Sequence, residues 1–137
     1  IETLEPVVTV EQVLALQREV RAVHVSEAVR RYALELVRRT RTAPAVALGC
    51  SPRAGIALLR AAQARAALGG RSFVLPDDVK ALAVPVLAHR LILRDEGPGE
   101  GQATGAGVVD RLLRDVPVPL HAAGAEGSRV ARRRADA

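Results

Sequence analysis

The run Gly49-Cys50-Ser51-Pro52-Arg53-Ala54, continued as GIALLRAAQARAAL over residues 55–68 and closed by Gly69-Gly70, decides the fold. Ser51 stands where a helix N-cap is preferred, and Pro52 suits the first helical position, where its missing N–H costs nothing and its φ is already helical. Two glycines stop the helix at the far end. The segment between them is alanine-rich on nearly every side, so it predicts a helix over roughly Pro52–Leu68 with close neighbours on more than one face, the central member of a bundle.

Upstream, Thr9 with Gln12 three residues later forms a capping box, and Val8 with Val13 forms a hydrophobic staple. The helix they open places Val13, Leu16, Val20 and Val23 on one face. A second helix follows Ser26, with Val29, Tyr32, Ala33, Leu36 and Val37 as its buried stripe, and ends near Thr40 before Pro44. Downstream, Phe73-Val74 reads as a short extended piece. Pro76 then opens a fourth helix, with Asp77 and Asp78 at its positive end. Pro85 allows at most a short further helix, through about His89. The stretch GPGEGQATGAG, residues 97–107, reads as a flexible Gly-rich connector. Val108, Val109, Leu112 and Leu113 mark a last short helix over 108–115, stopped by the VPVP of Val116–Pro119. Residues 120–137, small, polar and Arg-rich, are expected to be a disordered tail. The expected fold is therefore all-α, a small bundle of about four main helices, forming one domain over 1–119 with its helical core at 4–95.

Composition agrees with helices packed closely. Apolar residues make up 49% of the 137-residue chain, mostly Ala, Val and Leu, and Tyr32 and Phe73 are its only aromatics. The net charge of +5 is carried almost wholly by arginine, since Lys80 is the only lysine. Glu27 with Arg30 and Arg31, and Glu35 with Arg38 and Arg39, are spaced for exposed ion pairs along a helix, so much of this charge reads as a solvated face. No apolar run approaches the roughly 20 residues needed to span a bilayer, and no charged-then-apolar leader opens the sequence, so a cytoplasmic protein is expected. Ile1 and the absence of methionine mark the chain as an expected segment of something longer.

The start of the central helix is also the best candidate site. A helix N-terminus presents unpaired N–H groups and partial positive charge, and an arginine in its first turn adds a planar fork suited to phosphate oxygens. From the local residues alone, both an anion contact and an ordinary solvent-facing or ion-paired arginine fit Arg53. Cys50 lies beside the same helix end, where a thiol pKa can fall, but no base accompanies it and it reads as an inert small residue. His24, His89 and His121 are far apart with no second ligand at metal spacing, and read as structural.

Four strings stand in order and spacing: Ser51-Pro52-Arg53-Ala54, Gly70-Arg71-Ser72-Phe73-Val74, Pro76-Asp77-Asp78-Val79 and Pro85-Val86-Leu87-Ala88-His89-Arg90-Leu91. Together they resemble the C-terminal lid of MoxR-type AAA+ ATPases, from near Leu4 to Pro119. That resemblance implies that Arg53 is the sensor-2 residue contacting the terminal phosphate of the nucleotide, with Ser51 and Pro52 shaping the helix end. It also implies a parent that hydrolyses ATP with Mg2+. The implied partners are the ATPase core domain of the same protein, neighbouring subunits of a homo-oligomeric ring, commonly a hexamer, and client proteins often containing von Willebrand factor A domains. Two positions depart from the pattern: Cys50 replaces a small residue such as Ala, and Leu75 replaces a Thr or Ser that would cap the Pro76 helix.

The chain contains no GxxxxGK[ST] phosphate loop, so no catalytic residue is assigned within it. Leu91-Ile92-Leu93-Arg94-Asp95-Glu96 is superficially like a Walker B strand, but Arg94 occupies its last apolar position. No metal site is assigned, and this chain alone is expected neither to bind a cofactor nor to hydrolyse ATP. The competing reading is a basic helical nucleic-acid-binding module. Against it, the scarcity of aromatics denies single strands a stacking platform and the core arginines alternate with acids.

Overall fold

A computed structural model describes residues 7–94 and 103–119. The expectations for Asp95 and Glu96, for residues 97–102 of the Gly-rich connector and for the tail at 120–137 lie outside the described residues. The architecture is a small helical bundle with one short two-stranded ribbon. Its elements, in chain order, are α1 (Val10–Ala22), α2 (Glu27–Thr40), β1 (Val46–Leu48), α3 (Pro52–Leu68), α4 (Pro76–Leu87), a 3-10 turn (Ala88–Arg90), β2 (Ile92–Leu93) and α5 (Gly105–Asp115). None of the described helices is long and apolar enough to cross a membrane.

α3 is the pivot, packing against α1, α2 and α4. Its buried face is Ala54, Leu58, Ala62 and Ala66, at spacings of four that let neighbouring backbones approach closely. α2 presents all five expected stripe residues to this core, and Thr40 extends the stripe by another turn. Ser26 caps α2, its Oγ accepting the Val29 N–H at 3.3 Å. α5 covers α2, α4 and the 3-10 turn with Val108, Val109 and Leu112.

α1 starts as its sequence requires. Thr9 Oγ1 accepts the Gln12 N–H at 3.3 Å, and Gln12 Oε1 accepts the Thr9 N–H at 2.7 Å. Yet no residue of α1 is buried, and Val10, Val13, Leu14 and Leu16 are all exposed. Only Val23, just past its end, joins the core.

Three features differ from expectation. Pro85 does not end α4 but lies inside its last turn. The proline removes one N–H, which would have bonded the Ala81 carbonyl; both residues are exposed, so water can satisfy that carbonyl. α5 begins at Gly105 rather than 108, because Thr104 caps it by accepting the Gly107 N–H at 3.0 Å. Gly105 is required there by packing, since a Cβ would stand 2.5 Å from the Ala88 carbonyl oxygen. The third is the ribbon, which adds strands to an expected all-helical bundle. β1 and β2 pair antiparallel, Val46 opposite Leu93 and Leu48 opposite Ile92, so the strand-like Leu91–Arg94 run closes a hairpin-like edge over the bundle. Arg94 fixes it, donating Nε–H to the Pro44 carbonyl at 2.9 Å and its backbone N–H to Ala45 O at 2.9 Å.

Phe73 and Val74 do form the short extended piece. It pairs with His24, whose N–H reaches Ser72 O at 2.8 Å and whose carbonyl accepts the Val74 N–H at 2.9 Å. Gly70, at φ +70°, makes the left-handed turn that sends the chain from α3 into this piece.

Candidate functional site

The start of α3 is built from a hydrogen-bonded loop and an arginine that has no partner among the described residues. Ser51 occupies the N-cap with extended geometry (φ −76°, ψ 164°), and Pro52 takes the first helical position. Contrary to a fully capped start, the Ser51 hydroxyl makes no cap hydrogen bond. Its carbonyl accepts the Ala54 N–H at 3.0 Å. Arg53 is exposed and, among the described residues, makes neither a hydrogen bond nor an ion pair. The positive helix end thus carries in its first turn a cation with no partner among the described residues, an arrangement that favours a bound anion.

The loop before it is held tightly. Thr40, fully buried at the end of α2, accepts the Cys50 N–H on Oγ1 at 2.9 Å and donates its own hydroxyl to Val37 O at 2.6 Å. Arg41 donates Nε–H to the Cys50 carbonyl at 3.0 Å. The Cys50 thiol lies 3.6 Å from the Leu87 carbonyl, at the end of α4, to which it donates. Both backbone groups of Cys50 and its side chain are therefore assigned. Gly49 is needed because the loop passes directly over Arg41, where a Cβ would stand 2.7 Å from backbone atoms. Burial pushes the Cys50 thiol pKa up, against smaller opposing effects from Thr40, Arg90 and Arg41. The thiol is thus a packed, protonated group rather than a nucleophile.

The start of α4 resembles that of α3 in form and differs in chemistry. Leu75 is the N-cap residue without a side-chain cap bond, as expected from its side chain. Asp78 compensates by accepting the Leu75 N–H on Oδ2 at 2.9 Å. The same buried carboxylate takes a two-pronged contact from Arg71, Nη1 to Oδ2 and Nη2 to Oδ1, each at 2.7 Å, with Arg65 Nε at 3.4 Å. The hydrogen-bonded Arg71 guanidinium holds the Asp78 carboxyl below the usual carboxylate range, outweighing the effect of burial.

Sequence reasoning located Ser51, Pro52 and Arg53 but missed Thr40, Arg41 and Gly49. A signal for Thr40 was present: it continues the 29/33/36/37 stripe, and a polar residue on a buried face needs a partner. His89 lies at the helix end as expected, its Nδ1 3.1 Å from Pro85 O. The described residues contain no group of three metal-ligating side chains.

The AAA lid domain family matches residues 38–111, more than half of the chain, from the end of α2 into α5. The chain belongs to the AAA lid domain family. Its relatives identify the branch. The protein YeaC of Bacillus subtilis is 45% identical over 120 residues, covering 88% of this chain and 37% of that protein. Protein MoxR of Paracoccus denitrificans is 36% identical over 109 residues, 70% of this chain and 32% of that one. The crystal structure of a protein from Cytophaga hutchinsonii, provisionally described as an ATPase, superposes with a TM-score of 0.75 at 35% identity, covering 80% of this chain and 36% of that one. This is a MoxR-type AAA+ lid, and it spans about a third of the length of the proteins it resembles.

Proposed function

We propose that this lid senses nucleotide through Arg53 in a MoxR-type ATPase and transmits the nucleotide state to neighbouring subunits of a ring. The observation that carries the reading is the contrast within a few residues: a free, exposed guanidinium at a helix N-terminus, supported by a loop whose Cys50 N–H, carbonyl and thiol are all fixed. A guanidinium placed in advance at the point where charge develops on a phosphoryl group lowers the barrier without paying reorganisation at the moment of reaction. The donors needed are those of Arg53 and the open first turn of α3. ATP with Mg2+ supplies the transferable phosphoryl group, held mainly by a catalytic core that contributes the phosphate loop and metal ligands.

The packing also supplies a route for coupling. Cys50 is bonded to the end of α2 and to the last carbonyl of α4, so a displacement of Arg53 is passed to two helices at once. In this reading the core domain of the same polypeptide and adjacent protomers, commonly six, are the partners, and the assembly does chaperone-like work on clients such as von Willebrand factor A-domain proteins. The lid alone does not turn over ATP.

The test is Arg53→Ala in the intact ATPase that carries this lid. Hydrolysis is expected to fall about 10²–10³-fold, while the melting temperature of the lid stays nearly constant because only solvent-facing atoms are lost. Arg53→Lys restores part of the rate, keeping charge but losing the two-pronged donor. Wild-type turnover in Arg53→Ala rejects the sensor role; unfolding of the lid makes the arginine structural.

A further inference from the structure

A groove of about 430 Å³ runs between the end of α1, the start of α2 and the middle of α3. Three guanidiniums line it, from Arg21, Arg30 and Arg60, and no acidic residue does. Arg21 and Arg60 make no ion pair among the described residues, and Arg30 has only a long, solvent-exposed contact to Glu27 at 3.8 Å. The floor is apolar: Leu59 is half-buried and Ile56 is 55% exposed. The Gln63 amide donates to Val23 O at 2.8 Å and also reaches Arg21 O at 3.4 Å, tying the end of α1 to α3 and keeping the two walls in register.

The walls continue beyond the groove with the same character. On α3, Arg53, Ile56, Arg60 and Gln63 follow one another at three- and four-residue spacing, so they share a face. On α1, Leu14 lies two turns before Arg21 on the same face, with Val10 one turn further, and both are exposed. An uncovered leucine and valine on a helix with no buried residue, adjoining an arginine-lined trough, describe a surface with two demands. A simple anion would leave the apolar floor in water, and a purely apolar ligand would leave three cations desolvated and unpaired. Neither Tyr32 nor Phe73 lines the groove, so His24 is the one aromatic ring among its lining residues and successive nucleic-acid bases would find no series of stacking surfaces.

We infer that this α1–α3 groove docks an acidic, amphipathic segment of a partner protein, aliphatic side chains against Ile56 and Leu59 and carboxylates against Arg21, Arg30 and Arg60. Charge complementarity selects the occupant: three arginines and no acid line the groove, so the segment that fits carries carboxylates. The inference does not depend on the nucleotide role of Arg53.

The experiment titrates the full chain with a peptide of alternating leucine and glutamate pairs, following backbone amide NMR shifts. Saturable shifts clustered on residues 21–25 and 56–63 are expected. Arg60→Glu should weaken affinity by about tenfold or more, as should replacing the peptide leucines by serine. Arg38→Glu, an equal charge change on an α2 surface outside the groove, should have far less effect. Circular dichroism monitors folding, and Ile56→Ser serves as a second groove variant that changes no charge; it too must lose affinity. The inference is overturned if the shifts centre on Arg111 and Arg114 instead, if Arg60→Glu and Ile56→Ser both bind like wild type, or if no saturable binding occurs. Displacement of the peptide by equimolar tripolyphosphate would mark a small-anion site and likewise overturn it.

Discussion

The helices α3 and α4 begin alike and are used differently. Each has an extended N-cap residue without a side-chain cap bond, a proline at the first helical position and charge in the first turn. At α4 the charge is that of two carboxylates, Asp77 and Asp78, which suit the positive helix end; Asp77 lies 3.4 Å from Lys80, and Asp78 satisfies the Leu75 N–H and is gripped by Arg71. At α3 it is the cation Arg53, which opposes the helix dipole and pairs with nothing described. One start is finished within the lid. The other leaves its arginine without a partner among the described residues, behind a loop held by hydrogen bonds to Cys50.

Breaking the finished start has the largest effect on stability. Asp78→Asn removes the charge that Arg71 and Arg65 share and leaves two guanidiniums beside a buried neutral amide. A loss of about 1.5–3 kcal/mol is expected, because the charge-assisted hydrogen bonds of buried Asp78 are weakened while Arg71 and Arg65 keep access to water. Chemical denaturation of wild type and variant checks it. The sign of the pH dependence follows from the depressed carboxyl: the folded-state pKa lies below the unfolded value of about 3.9, so the contribution is complete above that value and is lost as pH falls through the folded one. Wild type and Asp78→Asn should therefore converge in stability as the pH drops below about 4. Parallel curves would mean that Arg71 stabilises by packing alone.

Next in size is the loop behind Arg53. Thr40→Val preserves shape but leaves the buried Cys50 N–H without its acceptor, costing about 1–3 kcal/mol. Thr40→Ser should recover most of that. If the loop serves to position Arg53, the intact ATPase should also lose hydrolysis rate in Thr40→Val at temperatures where the lid remains folded; an unchanged rate would confine Thr40 to a structural role.

These two clusters mark how far the sequence could be read. Helix positions were legible because capping boxes, Pro at the first turn and terminal glycines act locally, and the α2 stripe was legible because its period is regular. Arg53 was legible as part of a motif. The anchors around Cys50 were not, since Thr40, Leu87 and Arg41 reach it across ten, thirty-seven and nine residues and no local pattern encodes such contacts. The β1–β2 ribbon was missed for the same reason: two- and three-residue strands have too little alternation to register, and their pairing spans more than forty residues. α1 shows the opposite case, a helix correctly placed whose apolar face the lid does not cover.

A smaller change would make the α4 start more conventional. Leu75→Thr gives the N-cap a hydroxyl able to share the Asp78 N–H, which donates to the Leu75 carbonyl at 3.0 Å, and Asp78 already accepts the Leu75 N–H, so both halves of a capping box are present. Leu75 is only half-buried, so little apolar contact is sacrificed. A gain of about 0.5–1 kcal/mol is expected in a thermal melt. A net loss would show that the leucine side chain contributes more by packing than a cap can return.

The smallest effect tests the comparison most directly, by giving α3 the charge that α4 has. Arg53→Asp replaces an unpaired cation at the positive end of a seventeen-residue helix with an anion. The side chain is exposed and makes no hydrogen bond or ion pair with a described residue, so little packing is lost and no carboxylate is buried. The helix dipole then favours the new residue, and a carboxylate in the first turn can accept from its open N–H groups. The lid should gain about 0.3–1 kcal/mol at low ionic strength, diminishing as salt is added. The same substitution in the intact ATPase should abolish more activity than Arg53→Ala, because it sets a negative charge against the phosphate. Greater stability with less activity would show that Arg53 is kept at a cost to the fold. A destabilised lid would instead reveal that the arginine has a structural partner, and the contrast between the two helix starts would fail.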